Sequence, residues 1–291
     1  MKILTSVIES LRPKQWTKNL LLLAALIFSS KLFNLKFTVP AFEGFLIFCL
    51  SSGSVYILND LIDRKQDRLH PVKKFRPVAS GRLPSGAAAA AWIFFAGVSL
   101  LWAFAVNASF GAIVLAYVVI QALYSLLLKK LAIVDIFIIA LGFVLRVIAG
   151  AVIIDVPMSL WFIVCTMFLS LFLALGKRRF ELVSITPGAR RISLKGYSVE
   201  LLDRMITIVT ACTVMTYALY TMAPETISKF NTTNLIYTLP FVLFGIFRYL
   251  FLIYGEGKGG SPEDILLSDI PLIADILIYG AAVWFIIYKH L

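Results

Sequence analysis

The chain has 291 residues, of which 60% are hydrophobic and only 15% are charged, and its formal net charge is +11. Soluble domains carry about 25% charged residues, so this composition excludes an ordinary soluble protein and indicates a polytopic membrane protein. The positive charges lie in loops between apolar runs rather than along one soluble face, which argues against a nucleic-acid-binding protein and fits membrane topology.

Apolar runs long enough to cross about 30 Å of hydrocarbon define the predicted helices. They lie near residues 18–35, 41–58, 87–106, 108–128, 132–154, 157–175, 205–223, 236–254 and 271–288. No soluble region is long enough to build a core of its own. We therefore expect an all-α fold: a single integral-membrane domain over residues 1–291, with nine transmembrane helices around a central cavity open to the cytoplasmic side.

Lysine and arginine are distributed unequally between alternate loops. If the N-terminus is cytoplasmic, the cytoplasmic loops hold the basic residues within 64–82, 129–130, 177–204 and 258. The other side holds only Lys31, Lys36, Lys229 and Lys289. Because positive residues accumulate on the cytoplasmic side, we expect a protein integral to the cell (inner) membrane, with its N-terminus and its active site cytoplasmic.

The first polar segment, Arg-Pro-Lys-Gln-Trp-Thr-Lys-Asn at residues 12–19, precedes the first apolar run. Cations with an interfacial tryptophan are typical of an anchor to anionic lipid. An anchor alone would not need the amides of Gln15 and Asn19. The apolar run that follows has full spanning length, so we expect it to be a permanent helix rather than a cleaved signal peptide.

An acidic cluster of Asn59, Asp60, Asp63 and Asp67 follows the second run. The three aspartates are spaced i, i+3 and i+7, which places them on one helical face. Neighbouring carboxylates repel unless a cation neutralises them, and Mg²⁺ held by few protein oxygens completes its coordination with water and substrate phosphates. The cluster therefore predicts a Mg²⁺ site and a phosphate or diphosphate substrate. The alternative is a solvated helix end whose acids pair with the basic residues of segment 64–68.

The loop after the acids, within residues 59–86, brings further cations close to them. Lys73 and Arg76 follow the acids closely, and prolines restrict the backbone around them. Arginine offers a forked donor to phosphate oxygens and lysine offers a point charge, so the pair would orient an anionic donor against Mg²⁺. The alternative is that both residues only maintain the cytoplasmic orientation of the loop.

Arg146 interrupts an otherwise apolar segment, residues 141–150. A charge deep in a bilayer costs about 3 kcal/mol or more, so its guanidinium should face a cavity or a partner. Gly142 and Gly150 share its face and allow neighbouring helices to approach closely. The functional interpretation is an anionic ligand, and the alternative is an ion pair with Asp135.

A second charged loop is predicted at residues 176–204, directly after the sixth run. Three adjacent cations at a helix end cannot all face a central cavity, and Lys177 and Arg178 are our candidates. Glu200 and Asp203 would either bind a second metal or pair with Arg204, and pairing is the preferred interpretation.

Two features near the C-terminus carry weaker signals. Arg248, near the end of the eighth run, is expected to extend towards the membrane interface. The loop 255–260 is predicted to be a flexible connector, followed by a short helix that Ser261 caps and Pro262 begins.

Together these segments resemble the UbiA superfamily of intramembrane prenyltransferases over nearly the full length. The likeness rests on the acidic cluster followed by Lys73, Arg76, Pro77 and Gly81. Within the superfamily, the chain is similar to the decaprenyl-phosphate phosphoribosyltransferase branch in residues 12–19, 67–77, 142–150 and 259–263. Ordinary prenyltransferases carry a second aspartate motif after the sixth span, where this chain has Gly-Lys-Arg-Arg at 176–179, and this departure argues against aromatic prenylation.

The resemblance implies a Mg²⁺-dependent glycosyltransferase. It would move a 5-phosphoribosyl group from phosphoribosyl pyrophosphate to a polyprenyl phosphate and release pyrophosphate. The implied catalytic and metal-binding residues are Asn59, Asp60, Asp63 and Asp67. The implied substrate-binding residues are Lys18, Tyr56, Lys73, Arg76, Tyr124, Arg146, Lys177 and Arg178.

The expected partners are the two substrates and the lipid bilayer, without nucleic acid, and a homo-oligomer is compatible with the sequence. One alternative function is a UbiA-type transfer of a prenyl group from a prenyl diphosphate to an aromatic or other acceptor. The other is a non-enzymatic carrier of anionic lipid, which is disfavoured because the charges crowd at one face of the membrane.

Overall fold

The computed structural model describes residues 2–70, 72–184, 192–256, 260 and 262–288, and every regular element in these residues is helical. The all-α fold class is thereby confirmed. The residues named above that lie outside the described ranges are Lys258, Gly259, Ser261 and Lys289. The chain divides into two compact units, residues 1–157 and 158–291. A single domain over residues 1–291 stays a prediction.

The first unit is built around one long helix. Its α-helices are α1 (Lys2–Leu11), α2 (Ala24–Phe28), α3 (Leu35–Asp67), α4 (Pro77–Ser80), α5 (Ser85–Val106), α6 (Ala108–Leu126) and α7 (Val134–Ile153). Its 3₁₀-helices are Pro13–Leu23, Lys73–Phe75 and Leu128–Lys130. α3 packs against α5, α6, α7 and the first 3₁₀-helix, so it forms the centre of this unit.

The second unit follows the same all-helical plan. Its α-helices are α8 (Leu160–Ser184), α9 (Val199–Met222), α10 (Pro224–Phe230), α11 (Leu239–Tyr254), α12 (Pro262–Ser268) and α13 (Ile270–Tyr288). Its 3₁₀-helices are Ile192–Gly196 and Asn234–Thr238. α8 pairs with α9, and α11 pairs with α13. The predicted short helix after the C-terminal loop is confirmed, since α12 begins at Pro262.

Eight helical segments in the described residues are long and apolar enough to cross a membrane. They match eight of the nine predicted runs. The remaining run, residues 18–35, does not form one long α-helix: the 3₁₀-helix Pro13–Leu23 continues into the short helix α2, which ends before Ser30 at φ 59°. Apolar length alone does not distinguish a 3₁₀-helix from an α-helix, because the length of an apolar run carries no information about the hydrogen-bond pattern of its backbone.

Both charged loops begin later than predicted. α3 has 33 residues and extends through Asp67, and α8 has 25 residues and extends through Ser184. At about 1.5 Å per residue, α3 is roughly 50 Å long and exceeds the hydrocarbon thickness by several turns. The acidic cluster and Lys177 with Arg178 therefore lie on helical extensions of the spans and not in loops.

A buried apolar cluster fixes the chain segments beside the acidic end of α3. It consists of Leu11, Ile57, Val78, Leu83 and Ala88, with the tryptophans at 16 and 92 packed against it. Leu11 immediately precedes Arg12, Ile57 lies one turn before the first aspartate, and Val78 follows closely after Arg76. Burial of this cluster brings two arginines from separate segments to the same carboxylates.

Candidate functional site

The acidic end of α3 is built around two buried carboxylates that face the same point. Asp60 is 2% exposed and Asp67 is 4% exposed. They are seven residues apart, so at about 100° per residue their side chains project within roughly 20° of each other. Arg76 joins them: its Nη1 lies 3.1 Å from Oδ1 of Asp60 and 2.7 Å from Oδ2 of Asp67. Nη2 of Arg12 also reaches Oδ1 of Asp60, at 2.5 Å.

Asn59 and Asp63 form a second pair on the adjacent face of the helix. Nζ of Lys129 donates to Oδ1 of Asp63 at 2.5 Å and to Oδ1 of Asn59 at 3.3 Å. Lys129 follows α6 in the chain and was considered above only as a topology signal. Its place beside the acids depends on the packing of α6 against α3, which local spacing does not reveal.

The alternative predicted that the acids pair with basic residues of the adjacent segment 64–68, and the observed contacts of Arg64 and Arg68 contradict it. Arg64 instead donates to Oγ of Ser85, and Nε of Arg68 donates to the carbonyl oxygen of Ala79. The partners of the acids come from sequence separations of 9 to 66 residues. Long-range packing therefore builds this cluster, which distinguishes it from a solvated helix end.

The side-chain oxygens of the acidic cluster are ligands of the kind that Mg²⁺ prefers. Among the described residues, no group of three or more His, Cys, Asp or Glu is arranged to hold a metal ion. The acids form two oxygen pairs, Asp60 with Asp67 and Asn59 with Asp63, rather than the single three-carboxylate clamp predicted from their spacing. Mg²⁺ is usually held by one or two carboxylates together with substrate phosphates, and either pair provides such a donor set.

Arg146 is buried at 5% exposure and makes three hydrogen bonds to neutral oxygens. Its Nε donates to Oδ1 of Asn19 at 2.7 Å, its Nη1 to the carbonyl of Gly142 at 2.7 Å, and its Nη2 to the hydroxyl of Tyr117 at 2.8 Å. Asp135 is not one of these acceptors. It lies eleven residues earlier on the same helix, a rise of about 16 Å, so the alternative ion pair is wrong.

A chain of polar and aromatic groups leads from the acids towards this arginine. The guanidinium of Arg12 lies 4.8 Å from the ring centre of Tyr56, and the guanidinium of Arg146 lies 4.8 Å from that of Tyr117. Asn19, which holds Arg146, also donates to Oγ of Ser52. Tyr56 lies one turn before Asp60 on α3, beside Arg12, and its substrate-binding role stays a prediction.

The other candidates of the first unit are Lys18, Lys73 and Tyr124. Nζ of Lys18 lies 2.5 Å from the amide oxygen of Gln15. The backbone N–H of Lys73 donates to Nδ1 of His70 at 3.3 Å. Tyr124 is half-buried in the last turns of α6, the element that precedes Lys129. Their substrate-binding roles stay predictions.

The cationic end of α8 belongs to the second unit. Arg178 is 1% exposed and donates to Oε2 of Glu181 at 2.7 Å, whereas Lys177 is half-buried. Nε of Arg179 lies 2.6 Å from Oδ1 of Asp203, and its guanidinium stacks 3.9 Å from the ring centre of Tyr254. Arg178 and Arg179 are thus both paired with carboxylates, and the substrate-binding roles of Lys177 and Arg178 stay predictions.

The structure gives the ion-pair partners of Arg204 and Arg248 in this unit. Arg204 pairs with Glu200 at 2.5 Å, as preferred, but the partner of Asp203 is Arg179 and not Arg204. Arg248 makes two hydrogen bonds to Asp269, at 3.0 and 2.8 Å, because the turn between α12 and α13 carries that carboxylate to α11. The expected extension of Arg248 towards the membrane interface stays a prediction.

The chain is similar in sequence and in fold to several known proteins. The sequence model described as the UbiA prenyltransferase family matches residues 20–260. The decaprenyl-phosphate phosphoribosyltransferase of Mycolicibacterium smegmatis is 34% identical, over 97% of this chain and 94% of that protein. The protein of the same name from Corynebacterium glutamicum is 34% identical, over 90% of this chain and 81% of its own length.

One solved structure shows the likeness in fold. A UbiA homolog from Archaeoglobus fulgidus bound to DMAPP and Mg²⁺ superimposes with a TM-score of 0.74 and covers 97% of this chain and 99% of its own. It is 23% identical in sequence. At that identity the comparison establishes the shared arrangement of helices.

Proposed function

The chain belongs to the UbiA prenyltransferase family, and on that premise we propose that it transfers a 5-phosphoribosyl group from phosphoribosyl pyrophosphate to a polyprenyl phosphate. The reaction releases pyrophosphate, so the protein is an integral-membrane glycosyltransferase. Support comes from relatives, named for decaprenyl-phosphate phosphoribosyl transfer, that match the chain over most of its length. The residues of the first unit add a physical argument about the donor.

The observation that carries the proposal is the environment of Arg146. Its three acceptors are neutral, so the described residues give this buried cation hydrogen bonds but no counter-charge. Ser52, which contacts the same asparagine, precedes Asp60 by eight residues, a rise of about 12 Å along α3. A buried charge is stabilised by an opposite charge. Arg146 therefore favours a ligand that carries an anionic group at a distance from the acidic cluster, towards the N-terminal part of α3.

Phosphoribosyl pyrophosphate has this distribution of charge, with a diphosphate at one end of the ribose and a phosphate at the other. A prenyl diphosphate has one anionic end and a hydrocarbon tail, which gains nothing from a guanidinium beside it. The environment of Arg146 thus favours the phosphoribosyl donor over the prenyl donor. The lipid-carrier alternative gives no reason for a cation-binding cluster at one end of α3.

The residues at the acidic end of α3 would act on the departing diphosphate. Oxygens of Asn59, Asp60, Asp63 and Asp67 would hold Mg²⁺, which when bound neutralises negative charge on the leaving group. Arg76 and Lys129 lie against the same carboxylates and supply further donors to phosphate oxygens. The diphosphate would therefore be oriented with its bond to the sugar directed away from the acids.

The bond changes need little help from a protein base. An oxygen of the lipid phosphate forms a bond to the anomeric carbon, the bond from that carbon to pyrophosphate breaks, and pyrophosphate keeps the electron pair. The lipid phosphate is already ionised at neutral pH. Positive character develops on the sugar as pyrophosphate departs, so placing the acceptor opposite the leaving group supplies much of the acceleration, and inversion at the anomeric carbon is expected.

The finer topology is also part of the proposal. The 3₁₀-helix Pro13–Leu23 rises about 22 Å and the five residues of α2 add about 7 Å, so together they reach roughly 30 Å and can form a ninth crossing. A cytoplasmic N-terminus then places the acidic end of α3 on the cytoplasmic side of the inner membrane, where a water-soluble sugar phosphate is available. A central cavity open to that side would admit it.

The test uses purified full-length protein with labelled phosphoribosyl pyrophosphate, Mg²⁺ and polyprenyl phosphate. A labelled lipid and one equivalent of pyrophosphate are expected, and absence of labelled lipid with all three components present would reject the proposal. Parallel reactions with a prenyl diphosphate and an aromatic acceptor test the prenyltransferase. Counterflow of labelled polyprenyl phosphate in vesicles, without bond cleavage, tests the carrier.

A further inference from the structure

Arg12 lies directly over the buried carboxylate of Asp60, and no role in binding follows from the sequence analysis. It separates α1 from the 3₁₀-helix that begins at Pro13, and its backbone is left-handed, with φ 53° and ψ 63°. A non-glycine residue in this conformation is strained and persists only where the surroundings fix it. The geometry that results carries the guanidinium to within 2.5 Å of Oδ1 of Asp60.

Several contacts fix the backbone on either side of Arg12. Leu11 is buried in the apolar cluster, and its carbonyl oxygen accepts a hydrogen bond from Nε1 of Trp16 at 3.2 Å. Glu9 accepts two hydrogen bonds from Arg82, at 2.7 and 2.8 Å, which raise the pKa of that arginine. Because these contacts hold the backbone on both sides of Arg12, its side chain can change position without a movement of the backbone.

The two guanidiniums over Asp60 form a cover. The carboxylate is 2% exposed, whereas the side chains of Arg12 and Arg76 are 23% and 25% exposed. A cation that is to bind Oδ1 of Asp60 would therefore have to displace at least one of them. Arg76 contacts a second carboxylate, Asp67, so it is the more firmly held of the two.

Arg12 makes a second contact in the same position. Its guanidinium lies 4.8 Å from the ring centre of Tyr56, a residue one turn before Asp60 on α3. The attraction between a guanidinium and an aromatic face would hold the side chain at the site after its contact with Asp60 is lost. A forked donor held beside the acids is well suited to phosphate oxygens.

We propose that Arg12 is an exchangeable counter-ion: it neutralises Asp60 while the site is empty, and moves to the diphosphate when a divalent cation and the donor bind. In this scheme it competes with the metal for Asp60 before the donor arrives and assists the donor afterwards. The inference rests on the proposed function for the diphosphate, but the competition at Asp60 does not depend on which diphosphate is the substrate.

The test separates these two effects in full-length protein. Mn²⁺ binding is measured by electron paramagnetic resonance without donor, and binding of inorganic pyrophosphate is then measured in the presence of Mn²⁺. In R12A we expect Mn²⁺ to bind about fivefold or more tightly and pyrophosphate to bind about fivefold or more weakly, as for a typical coupling between bound groups. Lys14→Ala, which removes an equal charge from the same segment, should change both affinities less than about twofold.

The opposite signs exclude a merely structural role, which would weaken both ligands together. Mn²⁺ affinity that is unchanged or reduced in R12A overturns the inference, as does pyrophosphate affinity that is unchanged. If R12A does not fold, R12K provides the test. It keeps the charge and loses the fork, so Mn²⁺ affinity should match the wild type while pyrophosphate affinity falls, and equal affinities for pyrophosphate would reject the proposal. Failure of the phosphoribosyl reaction with these binding results intact would reject only the proposed substrate.

Discussion

Nε of Arg146 on α7 donates a hydrogen bond to Oδ1 of Asn19, 127 positions earlier in the chain and 2.7 Å away. Asn19 is fully buried and also donates to Ser52 on α3 and to the sulfur of Cys49. One amide therefore joins three elements of the first unit around a buried cation. The acceptor keeps the guanidinium oriented without cancelling its charge, which leaves the charge available to an anionic ligand.

Replacing Arg146 should separate recognition of the two ends of the donor. In Arg146→Gln, the KM for phosphoribosyl pyrophosphate should rise at least tenfold, because a charge-assisted hydrogen bond contributes about 1.5–3 kcal/mol. Affinity for inorganic pyrophosphate should change less than about twofold, since that ligand has no distal phosphate. Steady-state kinetics and calorimetry measure the two values. Equal loss of both ligands would show that Arg146 acts on the whole site and not on one phosphate.

Removing the amide that holds Arg146 should cost stability. Asn19→Ala leaves a buried guanidinium with one acceptor fewer, and an unsatisfied buried polar group costs about 1–3 kcal/mol. Thermal unfolding in detergent should therefore show a lower Tm. The control is Asn234→Ala, which removes an exposed amide and should leave the Tm unchanged. An unchanged Tm in Asn19→Ala would mean that another group replaces the amide.

Sequence reasoning found those parts of the site whose residues lie in one segment of the chain. The spacing of Asp60 and Asp67 identified a shared helical face, and a lone arginine among apolar residues identified Arg146. The partners were not predictable: Lys129 lies 66 positions from Asp63, and its approach depends on how α6 packs against α3. Helical periodicity describes one element and carries no information about a second element at that distance.

The same limit explains the errors in the fold. Apolar length identified eight spans, but it could not show that α3 continues as a helix through Asp67, because the end of the hydrocarbon is not the end of the helix. Nor could it show that Pro13–Leu23 is a 3₁₀-helix. This helix packs against both α3 and α7, and packing is a property of two segments together.

Neutralising the most buried carboxylate should abolish turnover. In Asp60→Asn, kcat for phosphoribosyl transfer should fall at least about 100-fold, since the amide lacks the negative charge that attracts both the metal and the arginines. The Tm should change little, because the amide oxygen still accepts from Arg76. Glu200→Gln breaks an exposed ion pair whose side chains are both 74% exposed, so it should keep activity within about twofold. Turnover near the wild-type rate in Asp60→Asn would exclude this residue from the reaction.

Lys129 and Asp63 should behave as one unit. Their contact of 2.5 Å implies that Lys129→Met leaves the carboxylate without its cation and that Asp63→Asn leaves the ammonium without its anion. In a double-mutant cycle on donor affinity, the coupling should reach about 0.5–3 kcal/mol, as for residues in direct contact. Additive effects would indicate that the two side chains serve separate ligands.

Gly150 should be the least replaceable glycine of α7. A Cβ at this position would collide with the backbone carbonyl of Leu22, so no side-chain rotation relieves the clash. Gly150→Ala should destabilise the protein by about 3 kcal/mol or more, at the upper end for overpacking. Displacing the 3₁₀-helix would also move Asn19 from Arg146, so the KM for the donor should rise as the Tm falls. Gly97→Ala in α5, where a Cβ meets no atom within 4 Å, should be neutral or stabilising by about 0.5–1 kcal/mol. If both variants unfold at the wild-type temperature, the 3₁₀-helix does not approach α7 as closely as the structure shows.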